Sequence, residues 1–163
     1  MRFCRLCLVP TQSVGTRGSI HPTRFPAEAQ VANQLAGRLL LPTAWFTADG
    51  ATCGWDLIAL KARYATASHE LIARRMLECR PPVVISIFDH RRLSFRRSNV
   101  PGRVPPPLPG EMECWRQVHR GCRPLRTCQG PRVIQGWPIH EEGWKREILR
   151  MEVADLEEDS SVY

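Results

Sequence analysis

Apolar residues recur at Ala32, Leu35, Ala36, Leu39 and Leu40, the i, i+3, i+4, i+7, i+8 spacing of a helix with one buried stripe. Pro42 ends that helix, because it lacks an N–H and crowds the preceding turn. Glu28 stands one turn before Ala32 and is expected on the same buried side. Helical periodicity returns over residues 55–64, with Leu57, Leu60 and Tyr64 on one side. After a short break, Ser68 is suited to cap a helix from His69 to Leu77. The pattern changes at Val83–Phe88, a run rich in β-branched residues that predicts a strand. Asp89–Arg92 then makes a turn, and Leu93–Arg96 pairs back as a hairpin.

Downstream, the proline-rich residues 101–110 predict a stiff, extended linker of polyproline character. Glu111–Arg120 is a short amphipathic helix carrying Met112, Trp115 and Val118. Two strands follow, Arg132–Trp137 and Lys145–Val153, with Trp137 and Trp144 expected to pack them and His119 and His140 expected at the surface. The fold class expected is α+β: a helical N-terminal half of three helices, then a hairpin and a small antiparallel sheet. The organisation predicted is an irregular arm (1–26), a helical and hairpin unit (27–100), the linker (101–110), a small α+β region (111–154) and an acidic tail (155–163).

The order Glu28, Ala32-Asn33, Ala36, Leu39-Leu40-Leu41-Pro42 resembles the ImmA/IrrE family of zinc metallo-endopeptidases over roughly residues 27–100. The pair of helices with Ala73, Arg74 and Arg75 late in the second member, and the hairpin after it, fit the same layout, while Leu35 replaces the commoner aromatic residue. The resemblance implies a zincin: two histidines and a general-base glutamate from an HExxH helix, and a further carboxylate from the later helix. Two histidines at i and i+4 reach one ion from a single helix face. Glu28 is the nearest candidate for the later metal ligand, with a helix-dipole role as its ordinary alternative. No HExxH occurs in residues 1–27, where His21 is the one histidine, so the helical half is expected to be a zincin-like remnant and the arm the product of a start-site or frame change. His69-Glu70 has Ala73, not histidine, four positions after His69, and reads as a solvated first turn.

Charge adds a second set of candidates. The chain has 163 residues and a net charge of +7, and residues 1–110 hold 15 basic against 6 acidic side chains. Arg74, Arg75, Arg91, Arg92, Arg96 and Arg97 form the candidate nucleic-acid or partner-binding set, since clustered arginines meet phosphate or an acidic protein. Seven cysteines without a secretory h-region are expected as reduced thiols, and the Cys4/Cys7 and Cys122/Cys128 pairs are too widely separated to favour a zinc ribbon. No run approaches a membrane span, so a cytoplasmic protein without membrane contact is expected.

These readings give a truncated or degenerate ImmA/IrrE-like protein. It is expected to lack peptidase activity and a cofactor as written, zinc belonging to intact relatives. Those relatives cleave DNA-bound repressors, which makes a DNA-binding repressor protein the expected partner. Two alternatives stand beside it: a DNA-binding module built on the helix pair 55–77, and the downstream part of an active zinc endopeptidase.

Overall fold

A computed structural model describes residues 27–153, apart from the side chains of residues 27–30 and 32–34. The N-terminal half is α1 (Ala27–Leu40), α2 (Thr43–Thr52), α3 (Leu57–Arg63) and α4 (His69–Met76). Among the described residues it holds four helices rather than the three expected. The addition, α2, has no clean apolar stripe, and its Gly50 lies so close under Trp55 that a Cβ would fall 2.5 Å from the indole. Asp56 caps α3 by accepting from the Ala59 N–H at 2.8 Å, and Ser68 caps α4 by accepting from Leu71 N–H at 3.1 Å.

The remainder is β1 (Val83–Asp89), β2 (Arg92–Ser98), α5 (Pro109–Gly121), β3 (Leu125–Gln129), β4 (Arg132–Glu141) and β5 (Trp144–Glu152). All five strands of the described residues belong to one antiparallel sheet of order β2-β1-β5-β4-β3. The predicted hairpin and C-terminal strands are therefore continuous, because β5 pairs with β1 from Val83↔Glu152 to Asp89↔Arg146. The extended segment stops earlier than predicted, with α5 starting at Pro109, where a first-turn proline loses no helical hydrogen bond. The turn from β1 to β2 places His90 and Arg91 in the left-handed region, at φ 47° and 69°, as two-residue hairpins require.

The sheet is covered on both faces, which explains why β1 reads as an unbroken apolar run. Val83, Ile85, Ile87, Trp137 and Ile148 face the helical half, packing with Leu41, Phe46, Leu57, Leu60, Ile72 and Met76. Val84, Phe88, Ile134, Leu149 and Met151 face α5, meeting Cys114, Trp115 and Val118. Strand alternation thus puts Glu147 and His140 on the α5 side, and Arg146 and Arg150 on the helical side.

Two packing expectations are corrected. Trp137 is buried in the sheet, but Trp144 is well exposed beside His90. The leucine stripe of α1 is not buried either: Val31, Leu35, Leu39 and Leu40 are exposed, Leu39 by 81%. The inward side of this helix runs through Gly37, where a Cβ would sit 3.3 Å from Leu71, to the buried Leu41 just past its end. Gly37 therefore lies on the side of α1 that faces Leu71 of α4, while the leucines lie on the exposed side.

Candidate functional site

The arginines expected to form one surface are divided by the fold. Arg75 is 3% exposed, donates from Nε to the Leu41 carbonyl at 3.2 Å and from Nη2 to Thr43 Oγ1 at 2.6 Å, and pairs with Glu78. Arg96 is also internal, in a fork to Glu111 under the N-terminus of α5. Both are corrected from binding residues to structural ones: each guanidinium is occupied by acceptors inside the protein. Arg74 pairs with Glu70 and lies 4.1 Å from the centre of the Phe95 ring. Arg91, Arg92 and Arg97 remain exposed on the β1–β2 hairpin. Glu28 lies in the first turn of α1, and its side chain is outside the described residues. The zinc site implied by the family resemblance does not fit the described residues, because position 28 is a single donor and a catalytic zinc takes three protein ligands. The arm, the acidic tail, His21 and the Cys4/Cys7 pair also lie outside the described residues.

On the helical face of the sheet, Arg146 joins three elements. Its Nε donates to Asp89 Oδ1 and its Nη1 to Glu70 Oε2, each at 2.6 Å, and Ser94 donates to Asp89 Oδ2 at 2.5 Å. Burial raises the Asp89 pKa, but the hydrogen bonds from Arg146 and Ser94 outweigh it and hold the carboxyl below its ordinary value. A depressed folded-state pKa gives stability that is present above the unfolded value and lost as pH falls through the folded one. Urea midpoints measured from pH 6 to pH 2 are therefore expected to fall less steeply below pH 4 in Asp89→Asn than in the wild type. Parallel curves would mean that the carboxylate gains nothing from this network.

On the opposite face, three side chains from separate elements converge. Glu147, fully buried in β5, accepts hydrogen bonds at both oxygens. Trp115 of α5 donates its indole N–H to Oε2 at 3.1 Å. His119 Nδ1, one turn further along α5, lies 2.8 Å from Oε1, and His140 Nε2 of β4 lies 2.6 Å from the same atom. Register explains the convergence: Glu147 stands opposite Pro138 on β4, two residues from His140 on the same face. Trp115 stacks with His119 with ring centres 5.5 Å apart, and with Phe88 at 5.2 Å. The His119 and His140 side chains are 19% and 17% exposed, so both rings reach from the interior to the surface. Burial pushes the Glu147 pKa up, yet the hydrogen bonds from His119, His140 and Trp115 bring it below its usual value.

His119 and His140 are thus not free surface residues, as the sequence suggested. Their polar neighbours hid the grouping. One available signal was that His119 continues the Trp115, Val118 stripe of α5; another was the carboxylate at the head of the apolar run Ile148–Leu149 in β5. The donor atoms of His119, His140 and Glu147 lie within 4.8 Å of one another, a set able to hold a metal ion. No helix among the described residues is long and apolar enough to cross a membrane. Comparisons with protein-family models, with curated proteins and with solved structures each return no match.

Proposed function

We propose that this chain is an ImmA/IrrE-like protein whose residues 27–100 correspond to the region after the zinc-binding helix of those metallo-endopeptidases. As written it binds a protein partner, a DNA-binding repressor by analogy with those relatives, and hydrolyses no peptide bond. The observation that carries this reading is the uncovered stripe on α1. Helical spacing puts position 28 on the same face as Leu35 and Leu39, with Val31 beside them. A helix whose carboxylate shares a zinc ion with an HExxH helix must lie against that helix, because all the ligands sit about 2 Å from one ion. The face around position 28 would then be apolar and, without the second helix, exposed. The stop at Pro42, the capped pair α3 and α4 and the following hairpin keep the family order.

The DNA-reading alternative draws no support from α4. Its first turn is engaged through Glu70 with Arg146, Ile72 is buried, and Arg75 points inward. The downstream-fragment alternative shares the α1 argument and differs in what precedes it. Translating the DNA before Met1 in all three forward frames separates the readings. An HExxH codon run in a frame that joins near Pro26 would favour the downstream-fragment alternative and assign the exposed stripe to that segment. Its absence from every frame is the outcome expected of a degenerate remnant. For the chain as written, incubation with a peptide library and added zinc is expected to give no turnover, and chelator-sensitive cleavage would contradict the non-peptidase assignment.

A further inference from the structure

We propose that His119, His140 and Glu147 bind one transition-metal dication, with zinc(II) as the test ion and a solvent-facing fourth position. This site is independent of the family zinc, because none of its ligands comes from α1 or from the sequence before it.

The argument begins with charge. Two carboxylates of the described residues are almost wholly buried, and they are treated differently. Glu111 meets a guanidinium, the Arg96 fork. Glu147 has no lysine or arginine partner among the described residues, and its ionic contacts are with the two imidazoles alone. A buried carboxylate needs a compensating positive charge. Here that charge must reside on an imidazolium or on a cation held between the rings.

The donor chemistry then selects the cation. Two imidazole nitrogens and one carboxylate oxygen form the donor set of open zinc and non-haem iron sites, whereas magnesium and calcium prefer all-oxygen shells. His119 Nδ1 and His140 Nε2 both aim at Oε1, at 2.8 and 2.6 Å. Replacing the shared protons by an ion with bonds of about 2.0–2.1 Å needs the nitrogens to withdraw from that oxygen by roughly half an ångström. One ring stands in the last turn of α5 and the other near the end of β4, where small shifts do not disturb the central sheet.

The surroundings are those of a supported ligand set. The Trp115 N–H fixes Oε2 and leaves Oε1 as a single donor. The stacked Trp115 ring also holds the plane of His119. Both histidines reach solvent on one side, so a water molecule or small anion can complete the coordination.

The test uses the full chain stripped of metal, titrated with zinc in competition with a chromogenic chelator and with cobalt(II) followed by its visible absorption. One equivalent bound with a Kd of about micromolar or tighter is expected. His119→Gln and His140→Gln should each weaken binding at least tenfold. Glu28→Gln and the double variant Cys122→Ser/Cys128→Ser should leave it unchanged, so failure here is distinguishable from failure of the family reading. Diethyl pyrocarbonate modification of the wild type needs no variant: zinc should shield His119 and His140 while His69 and His90 keep their reactivity. Absence of stoichiometric binding, binding indifferent to both histidine variants, or equal modification with and without zinc would each overturn the proposal.

Discussion

Deleting the Glu111 side chain (Glu111→Ala) is expected to lower folding stability by about 3–5 kcal/mol, as when one member of a buried ion pair is removed. Arg96 Nη1 donates to Glu111 Oε1 at 2.7 Å and its Nη2 to Oε2 at 2.9 Å, while Glu111 also accepts the Leu108 N–H at 2.9 Å. The same guanidinium donates to Ser86 Oγ and, through Nε, to the Pro105 carbonyl at 2.8 Å. One fork therefore fastens β1, β2, the proline-rich segment and the start of α5. Truncation leaves the cation surrounded by protein with its counter-charge gone, and frees the N–H of Leu108, the residue that precedes α5 as its N-cap. The double variant Arg96→Met/Glu111→Leu should recover most of the loss, because it removes the uncompensated charge as well as the attraction. Urea denaturation of the three variants checks this. A single-variant loss below about 1 kcal/mol would mean that the pair is solvated, since exposed pairs give no more than that.

Trp137→Ala is expected to have a similar effect, about 3–5 kcal/mol, as for other buried aromatic truncations. Trp137 belongs to β4 but packs with the helical core, and its indole N–H donates to Asp56 Oδ2 at 3.1 Å. Asp56 caps α3 through its other oxygen, so one side chain links the sheet to the start of a helix 81 residues earlier. Trp137→Phe keeps most of the apolar contact and should lose less, with the difference reporting the hydrogen bond to the carboxylate. Far-ultraviolet circular dichroism through the urea transition should show helix and sheet lost together in the wild type. If Trp137→Ala melted at the wild-type midpoint, the helical half would owe little to this face of the sheet.

How far the sequence foretold these features depended on how local their cause was. Ser68, Pro42 and the Val83–Phe88 run act within a few residues, and the ends of α1, α4 and β1 follow them closely. The β3 strand escaped notice because Leu125–Gln129 is a short edge strand with a charged residue in it, stabilised by its register with β4 rather than by its own composition. The inward side of α1 was misjudged for a comparable reason. Periodicity identifies an apolar stripe, but the approach of α4 determines which side of a helix is covered, and here Gly37 allows the contact. The six arginines looked alike as a charge count, and only the distribution of acceptors in the fold separates Arg75 and Arg96 from Arg91, Arg92 and Arg97. The histidine–glutamate cluster was least legible, since its members lie on three elements joined by strand register and by the crossing of α5.

The strand order carries a consequence for how the polypeptide reaches this shape. β5 comes last of the five in sequence yet lies at the centre of the sheet, between β1 and β4. A chain emerging from the ribosome can close the β1–β2 hairpin early, but the inner edge of β1 then stays unpaired while the chain from Ser98 to the end of β5 at Glu152 is made. During that interval a hydrophobic strand offers a free row of backbone donors and acceptors, the condition under which strands pair with the wrong neighbour. The assembly of this sheet is therefore timed by its most distant pairing, and the arrival of β5 removes both the open edge and the hazard it carries.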